Sequence, residues 1–532
     1  MPDLGIDFGT STTLVSAREG SELPRILPIG QIQSFMPSVA IKRSEGFVAG
    51  EDALGAPQRH EVIRWAKMGI TTGIDRLEDL GYDVADTVDS TIAAILIEAL
   101  VRARRHSELQ GDSVEASLSC PSSWGWPQRQ RLLAIASRAG IDTRGRQTLV
   151  DEPVAAAAGW IDWLASRGEQ PEAARILVLD IGGGTLDVAL VDVSAAEEAP
   201  EFRVLSSGGT TLGGYKVDQM LANAIARSGG RDDLAEQIAS RDFQITDEMA
   251  WLLWESERAK VLLSAAYEVP VDLSATVKGT EPITVRQPEL EELAEPYVDE
   301  ALRFALGVAR GGLLTHGKTS DDVLRLSWGT LGITHVLLVG GGSRLSGFEA
   351  ILKRPEILPE AVISTETAYI AAEEMVARGL IFASGNFFMS LDRPPFSIKL
   401  VVEQTTYPFY DAYEAMYLPQ DTFANVRPAV RKTFQLPRYA RQIRTVFESV
   451  GGHELRPENG RSLDWPLPSQ AGHISATLYP DGRFLLRTER QPIVQLRLPN
   501  WNPWNRDFVT VREEPLGPMA MFENPFQEGA PG

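Results

Sequence analysis

Three short turns in this 532-residue chain combine residue types that can handle phosphate. They are Asp7-Phe8-Gly9-Thr10-Ser11-Thr12, Asp180-Ile181-Gly182-Gly183-Gly184-Thr185 and Gly340-Gly341-Gly342-Ser343-Arg344. Glycine lets backbone N–H groups turn toward a phosphate, and a neighbouring hydroxyl adds a donor. An acidic residue at the end of the preceding strand can hold the metal that neutralises the phosphates. Taken singly, each turn is an ordinary tight turn and each Asp an ordinary turn cap. Two turns with the same order of strand, Asp, Gly and Thr argue for shared phosphate chemistry. The six histidines show no paired metal-ligand spacing, and His60 and His106 read as structural or surface groups. The one cysteine, Cys120, reads as a small buried hydrophobe.

Such turns need strands to feed them, and the chain supplies these up to about residue 386. Leu4 to Asp7, Ala116 to Ser119, Ile176 to Asp180, Val188 to Val193 and Val336 to Val339 read as strands. Thr91 to Arg105 and Pro127 to Ala139 read as helices, the second starting at a proline and stopping at Gly140. The alternation predicts an α/β architecture. Beyond Pro394 short alternating segments, such as Ile474 to Leu478 and Phe484 to Thr488 about the turn Pro480-Asp481-Gly482, predict an all-β module. Residues 512–532, rich in Pro and Gly, read as a disordered tail.

Composition excludes several classes. The chain is 43% hydrophobic and 23% charged, which suits folded cores rather than global disorder. No apolar run reaches the length of a membrane span, and the first residues lack the pattern of a signal peptide. A reducing, cytoplasmic setting is expected from the lone cysteine. The net charge of −21 argues against nucleic acid as a partner. That charge sits early: the first 392 residues carry 35 basic against 57 acidic side chains, the remainder 16 against 15.

LGIDFGTST, CPSSWGWPQRQ, VDEPVAAAAG, ILVLDIGGGTLDVALVDV, GGTTLGGYKVD, SERAKVLLS and VLLVGGGSRLSG occur in order over about residues 3–392. Together they resemble the actin, sugar-kinase and heat-shock ATPase superfamily, and within it the DnaK-type 70-kDa heat-shock proteins. The resemblance implies an actin-like ATPase fold of two ribonuclease H-like lobes over 1–385, a linker over 386–392 and a smaller β-sandwich over 393–511. It implies ATP or ADP with magnesium, optionally with potassium. Asp7 and Asp180 would position magnesium through its waters, while Thr10, Ser11 and Thr185 donate to phosphate oxygens. Lys67, sixty residues after Asp7, matches the catalytic lysine. Glu152 and Asp187 match carboxylates near the water and metal. Glu257, Lys260, Ser264 and Arg344 match groups that grip ribose and adenine, and Glu373 stands where the family has an aspartate. Gly9, Thr12, Gly182, Gly183, Gly184, Gly213, Gly214 and Gly340 to Gly342 complete the expected nucleotide set. Catalysis would then fall to Lys67, Glu152, Asp180 and Thr185, by positioning and charge neutralisation.

Departures qualify the resemblance. Tyr215 and Lys216 stand where the family has Glu and Asp, and Thr148 replaces an arginine tied to the J-domain co-chaperone, which argues against that partner. A serine intrudes in the linker, Phe387-Phe388-Met389-Ser390-Leu391-Asp392. The helical lid of the family is not expected. Pro121 and Arg129 fall in the segment that couples the domains in the family. The stretch YPFYDAYEAMY, with Tyr407, Phe409, Tyr410, Tyr413 and Tyr417, reads as a loop that either plugs its own sandwich or binds a partner. Arg427, Arg431, Lys432, Arg438, Arg441 and Arg444 form either a solvated face or a surface for an acidic partner. The leading reading is an ATPase chaperone with a protein client or dedicated partner and an exchange factor. An actin-like scaffold and a small-molecule kinase are the alternatives.

Overall fold

The computed structural model describes residues 3–20, 22–107, 109, 113–142, 149–169, 173–194, 201–240, 244–274, 282–314, 320–345, 347–364, 372–383, 390, 392–424, 429–437, 439–450, 452, 454–455, 462–468, 472–497 and 512–514. Two sheets share one plan. The first uses β1 (Asp3–Phe8), β2 (Thr12–Arg18), β3 (Arg25–Leu27), β4 (Ser117–Cys120) and β5 (Leu149–Asp151), in the order β5-β4-β1-β2-β3, with Met36–Pro37 also pairing β2. The second uses β6 (Ala173–Ile181), β7 (Leu186–Ser194), β8 (Glu201–Thr210), β9 (His335–Val339) and β10 (Val362–Ile363), in the order β8-β7-β6-β9-β10. In each, the first two strands form an antiparallel hairpin and the fourth and fifth run parallel to the first. This is the ribonuclease H-like arrangement, present twice, of an actin-like ATPase fold.

Strand composition explains the burial. β6 and β7 are almost continuously Ile, Leu, Val and Ala and are buried on both faces, as strands covered by helices on each side must be. Four helices position the site: α1 (Ala66–Thr72), α2 (Glu152–Ser166), α3 (Asp247–Leu263) and α4 (Met375–Ala383). α2 and α4 cross with glycine against backbone. A Cβ at Gly159 would stand 2.6 Å from the Met375 carbonyl oxygen, and one at Gly379 would overlap the Ala155 carbonyl. Only glycine permits this approach. The five sequence-predicted strands and both predicted helices before residue 140 are present.

The chain forms two compact units: residues 1–201, 208–305 and 328–386, and residues 202–207, 306–327 and 387–532. Each unit therefore draws on more than one stretch of the sequence. Within the second unit Gly307 meets Pro419, Gly311 meets the Tyr417 ring, and the Ser207 amide donates to Asp392 at 3.2 Å. Of the linker, only Ser390 and Asp392 lie among the described residues, and Thr148 lies outside them.

The second unit is an antiparallel sandwich. One sheet holds β11 (Phe396–Val402), β12 (Thr405–Tyr410) and β14 (Gln442–Ser449), in the order β12-β11-β14; the other holds β13 (Val430–Gln435), β15 (His473–Leu478), β16 (Arg483–Thr488), β17 (Pro492–Arg497) and β18 (Arg512–Glu514), in that order. Alternating burial along β11 sends Phe396, Ile398, Leu400 and Val402 inward. Two expectations are corrected here. The aromatic stretch expected as a loop begins as strand β12, and Phe409, Tyr410 and Tyr417 are buried, with Phe409 5.4 Å from Phe484 and Phe396 6.3 Å from Tyr410 between ring centroids. They are the plug. The tail expected to be structureless from 512 starts as β18, paired with Gln495 to Arg497, and 515–532 lies outside the described residues. Of the basic cluster, Arg444 pairs with Glu454 at 2.6 Å, and Arg427 and Arg438 lie outside the described residues.

Candidate functional site

The two hairpin turns match atom for atom in their closure. Gly9 N–H donates to the Thr12 carbonyl at 2.9 Å, and Gly182 N–H to the Thr185 carbonyl at 2.9 Å. Strand register places Asp7 opposite Leu14 and Asp180 opposite Asp187. The turns come together: a Cβ at Gly183 would overlap the Ser11 hydroxyl, and one at Gly184 would stand 2.7 Å from Thr10 Oγ1. The third turn closes on the same point. Gly340 has φ +76, and a Cβ there would lie 2.6 Å from Asp180 Oδ1. Gly342 backs onto Ile181. Three glycine-lined edges thus converge on Asp180, leaving room for a ligand backbone cannot otherwise approach.

Behind the turns lies a buried charge cluster. Lys67, on α1, is 3% exposed; its ammonium donates to the Phe8 carbonyl at 2.6 Å and pairs with Glu152, the first residue of α2. Burial alone would lower the pKa of Lys67, but Glu152 and Asp7 outweigh it and hold it above its ordinary value. Burial, reinforced by Glu152, raises Asp7 to about 6 despite Lys67 and a 2.6 Å hydrogen bond from Ser119. Burial with the charges of Glu152, Asp187 and Asp7 holds Asp180 well above the carboxylate range. Asp187, buried and accepting from the Ser122 amide at 2.6 Å, is raised to about 8 by burial and then by Glu152. Four carboxyl groups, Asp7, Glu152, Asp180 and Asp187, surround one buried ammonium. Such a site favours added positive charge.

The turns and the cluster open into a cleft of about 510 Å³. Asp7, Gly9, Thr10, Ser11 and Thr12 line it, as do Lys67 and Glu152, with Asp180, Gly182, Gly183 and Thr185. Gly214, Glu257, Lys260, Ser264, Gly340, Gly341, Gly342, Arg344 and Glu373 line it as well. Lys260 donates to the Gly214 carbonyl at 3.2 Å and pairs with the buried Asp218 at 2.7 Å. Arg344 makes a two-point pair with Glu373, at 2.7 and 3.1 Å, which fixes its guanidinium as a flat plate at the mouth. Three residues singled out from the sequence do not line the cleft. Gly184 is turned against Thr10, Gly213 packs on the backbone of Gly183 to Thr185, and Asp187 sits beneath the turns beside Ser122. Sequence reasoning missed Gln33, Ser34, Phe35, Gln287 and Leu290, which also line the cleft. They come from a loop and a helix start, and none of the five is itself a glycine or a charged residue.

Among the described residues no group of three or more His, Cys, Asp or Glu side chains stands close enough to hold a metal ion directly. The donor set, two strand-end carboxylates with raised pKa values among uncompensated charge, fits an ion held through water and phosphate oxygens. Elsewhere, the Arg129 guanidinium is 1% exposed and paired with Asp151, one residue before Glu152. Burial pushes the Cys120 thiol up to about 12, so it is a packed, unreactive group. His60 pairs with Asp247 at 3.3 Å. No helix among the described residues is long and apolar enough to cross a membrane.

The family described as Hsp70 protein matches residues 83–380. Among curated proteins, the chain is 27% identical over 365 residues to a protein named chaperone protein HscA homolog, from Ralstonia nicotianae (strain ATCC BAA-1114 / GMI1000). That alignment covers 64% of this chain and 52% of the relative, so the chain spans about half the length of the curated relative it matches.

Proposed function

The chain belongs to the Hsp70 family, and from that premise we propose that it binds ATP with magnesium, hydrolyses it slowly, and uses its nucleotide state to regulate how its β-sandwich holds a protein client or dedicated partner. The observation that carries the reading is Lys67, seated between the Phe8 carbonyl and Glu152 at the point where both Asp-Gly-Thr turns converge.

In this reading the turn amides and the hydroxyls of Thr10, Ser11 and Thr185 bind the phosphate oxygens. Asp7 and Asp180 hold magnesium through its waters, and the ion, when bound, neutralises phosphate charge. Lys67 orients the attacking water, its own position fixed by two acceptors. Glu152 keeps Lys67 charged and can accept a hydrogen bond from that water. Thr185 and Asp180 act on the transferring group by charge and position, which is what a loose phosphoryl-transfer transition state requires. Glu257, Lys260 and Ser264 face the ribose side, and Arg344, flattened by Glu373, offers a surface for the base. The nucleotide-binding part corresponds to 1–385, the linker to 386–392 and the sandwich to 393–514, its last strand being Arg512–Glu514. An exchange factor and a cytoplasmic setting belong to the same proposal.

The test is single-turnover cleavage of ATP by wild type and Lys67→Ala, alongside equilibrium nucleotide binding. Wild type should cleave ATP, and Lys67→Ala should bind it within a few-fold yet lose at least about 100-fold in cleavage, because a water-orienting group acts chiefly in the transition state. Equal cleavage by the two proteins would refute the role given to Lys67.

A further inference from the structure

The basic run around Arg431 does not stay together in the folded chain. Burial alternates along β13, so Arg431 and Lys432 point to opposite faces of their sheet. Lys432 stands opposite Ala476, a member of the sandwich core, and Arg431 stands opposite Thr477 on the outer face. That outer face is not built like a solvated one. The middle strand β15 gives it Ser475 and Thr477, and β16 gives it Leu485 and Arg487. All four are buried, Arg487 to 6% exposure. Ile474, Ala476, Leu478, Phe484 and Leu486 take the alternate positions and fill the core.

Strand register fixes the neighbours on this face. Ser475 lies directly between Thr433 and Arg487, and Arg431 is its diagonal neighbour on β13. Directly opposed side chains start roughly 5 Å apart and diagonal ones roughly 7–8 Å apart, so both long arginine side chains can reach the Ser475 hydroxyl. That hydroxyl is fully buried and has no hydrogen-bond partner among the described residues. The two acids of the β15–β16 hairpin are engaged elsewhere: Asp481 pairs with Arg483 and Glu489 with His473, each at 2.6 Å. Burial, and then the charge of Arg431, hold Arg487 below its ordinary pKa, so the sum of its surroundings works against its charge. Two like charges, one of them buried, beside a buried hydroxyl with nothing to bond, call for an anion.

We infer that Arg487, Arg431 and Ser475 form an oxyanion site on the outer face of the sandwich, suited to a phosphate dianion, either free or carried on a partner's side chain. A phosphate dianion balances both guanidiniums and has oxygens enough for two planar donor forks and the serine hydroxyl. A carboxylate brings one charge and two oxygens. Arg431, exposed where Arg487 is buried, is the side from which the anion enters.

The experiment is calorimetric titration of the full chain, in excess ADP and magnesium to occupy the nucleotide cleft, with inorganic phosphate, the peptide Ala-phosphoserine-Ala and the peptide Ala-Glu-Ala at constant ionic strength. Wild type should bind phosphate, the phosphopeptide or both at least about tenfold more tightly than Ala-Glu-Ala. Tighter binding of the phosphopeptide than of phosphate identifies a partner's side chain as the source; equal or weaker binding identifies free phosphate. Arg487→Met should lose at least about tenfold in affinity and Ser475→Ala about threefold. Arg441→Met, which removes an exposed charge outside the site, should change affinity by less than about twofold. If Arg487→Met does not fold, Arg431→Met, at an exposed position, is read by the same criterion. No binding by wild type, Ala-Glu-Ala bound as tightly as phosphate, affinity retained in the site variants, or an equal loss in Arg441→Met overturns the inference.

Discussion

Replacing Tyr410 by alanine separates a core plug from a binding surface. Tyr410 is 1% exposed, its ring 6.3 Å from Phe396 and its hydroxyl donating to the Glu414 carbonyl. A buried tyrosine removes roughly 200 Å² from water, worth about 5 kcal/mol at the usual area coefficient and less once a compact unfolded state is allowed for. Truncation also leaves a cavity and an orphaned carbonyl. We expect Tyr410→Ala to destabilise the sandwich by about 4 kcal/mol, and Tyr410→Phe by about 1 kcal/mol through the lost hydrogen bond. Tyr439, 72% exposed, is the control, and Tyr439→Ala should stay within about 0.5 kcal/mol. The assay is hydrogen exchange in the full chain, reading protection of peptides from Phe396–Val402 and Arg483–Thr488 so that the sandwich is followed apart from the ATPase fold. Protection within about 1 kcal/mol of wild type in Tyr410→Ala would refute the packing argument. Any client capture lost in that variant, without loss of protection, would restore a binding role for this aromatic segment.

Two further substitutions test the ATPase fold. Gly340→Ala must place a side chain at φ +76 and 2.6 Å from Asp180 Oδ1, so nucleotide affinity should fall at least about tenfold; titration with a fluorescent ADP checks it, and unchanged affinity would contradict the convergence of the three turns. Asp218 is raised from 3.8 to about 6 by burial, against the pull of Lys260, so its ionised form costs the fold stability: the contribution of the protonated form is full below pH 4 and is lost as pH rises through about 6. Asp218→Asn removes that dependence and should equal wild type near pH 4 but be more stable at pH 8 by up to about 3 kcal/mol, measured by urea unfolding; a variant less stable at pH 8 would show that the Lys260 pair is net favourable.

What the sequence made legible follows from how local each signal is. The phosphate turns repeat Asp, Gly and Thr within six residues, and hairpin geometry then forces Asp7 and Asp180 into equivalent places, so these positions could be read before any contact was known. The strands feeding them were legible for the same reason: continuous β-branched runs have one stable use, in a covered sheet. Tyr407 to Tyr417 left two readings open because aromatic density says only that a large apolar area is present. Whether it faces a partner or a core depends on a second sheet, here Phe434 and Phe484, that is distant in sequence. Asp187 shows the converse: its motif was plain and its register opposite Asp180 puts both carboxyls on one face of the sheet, yet the Ser122 amide takes up its carboxyl and Asp187 does not line the cleft. Its pKa, raised to about 8 by burial, therefore belongs to a carboxyl that supports the phosphate turns, and the motif alone could give its identity but not the backbone amide that claims it.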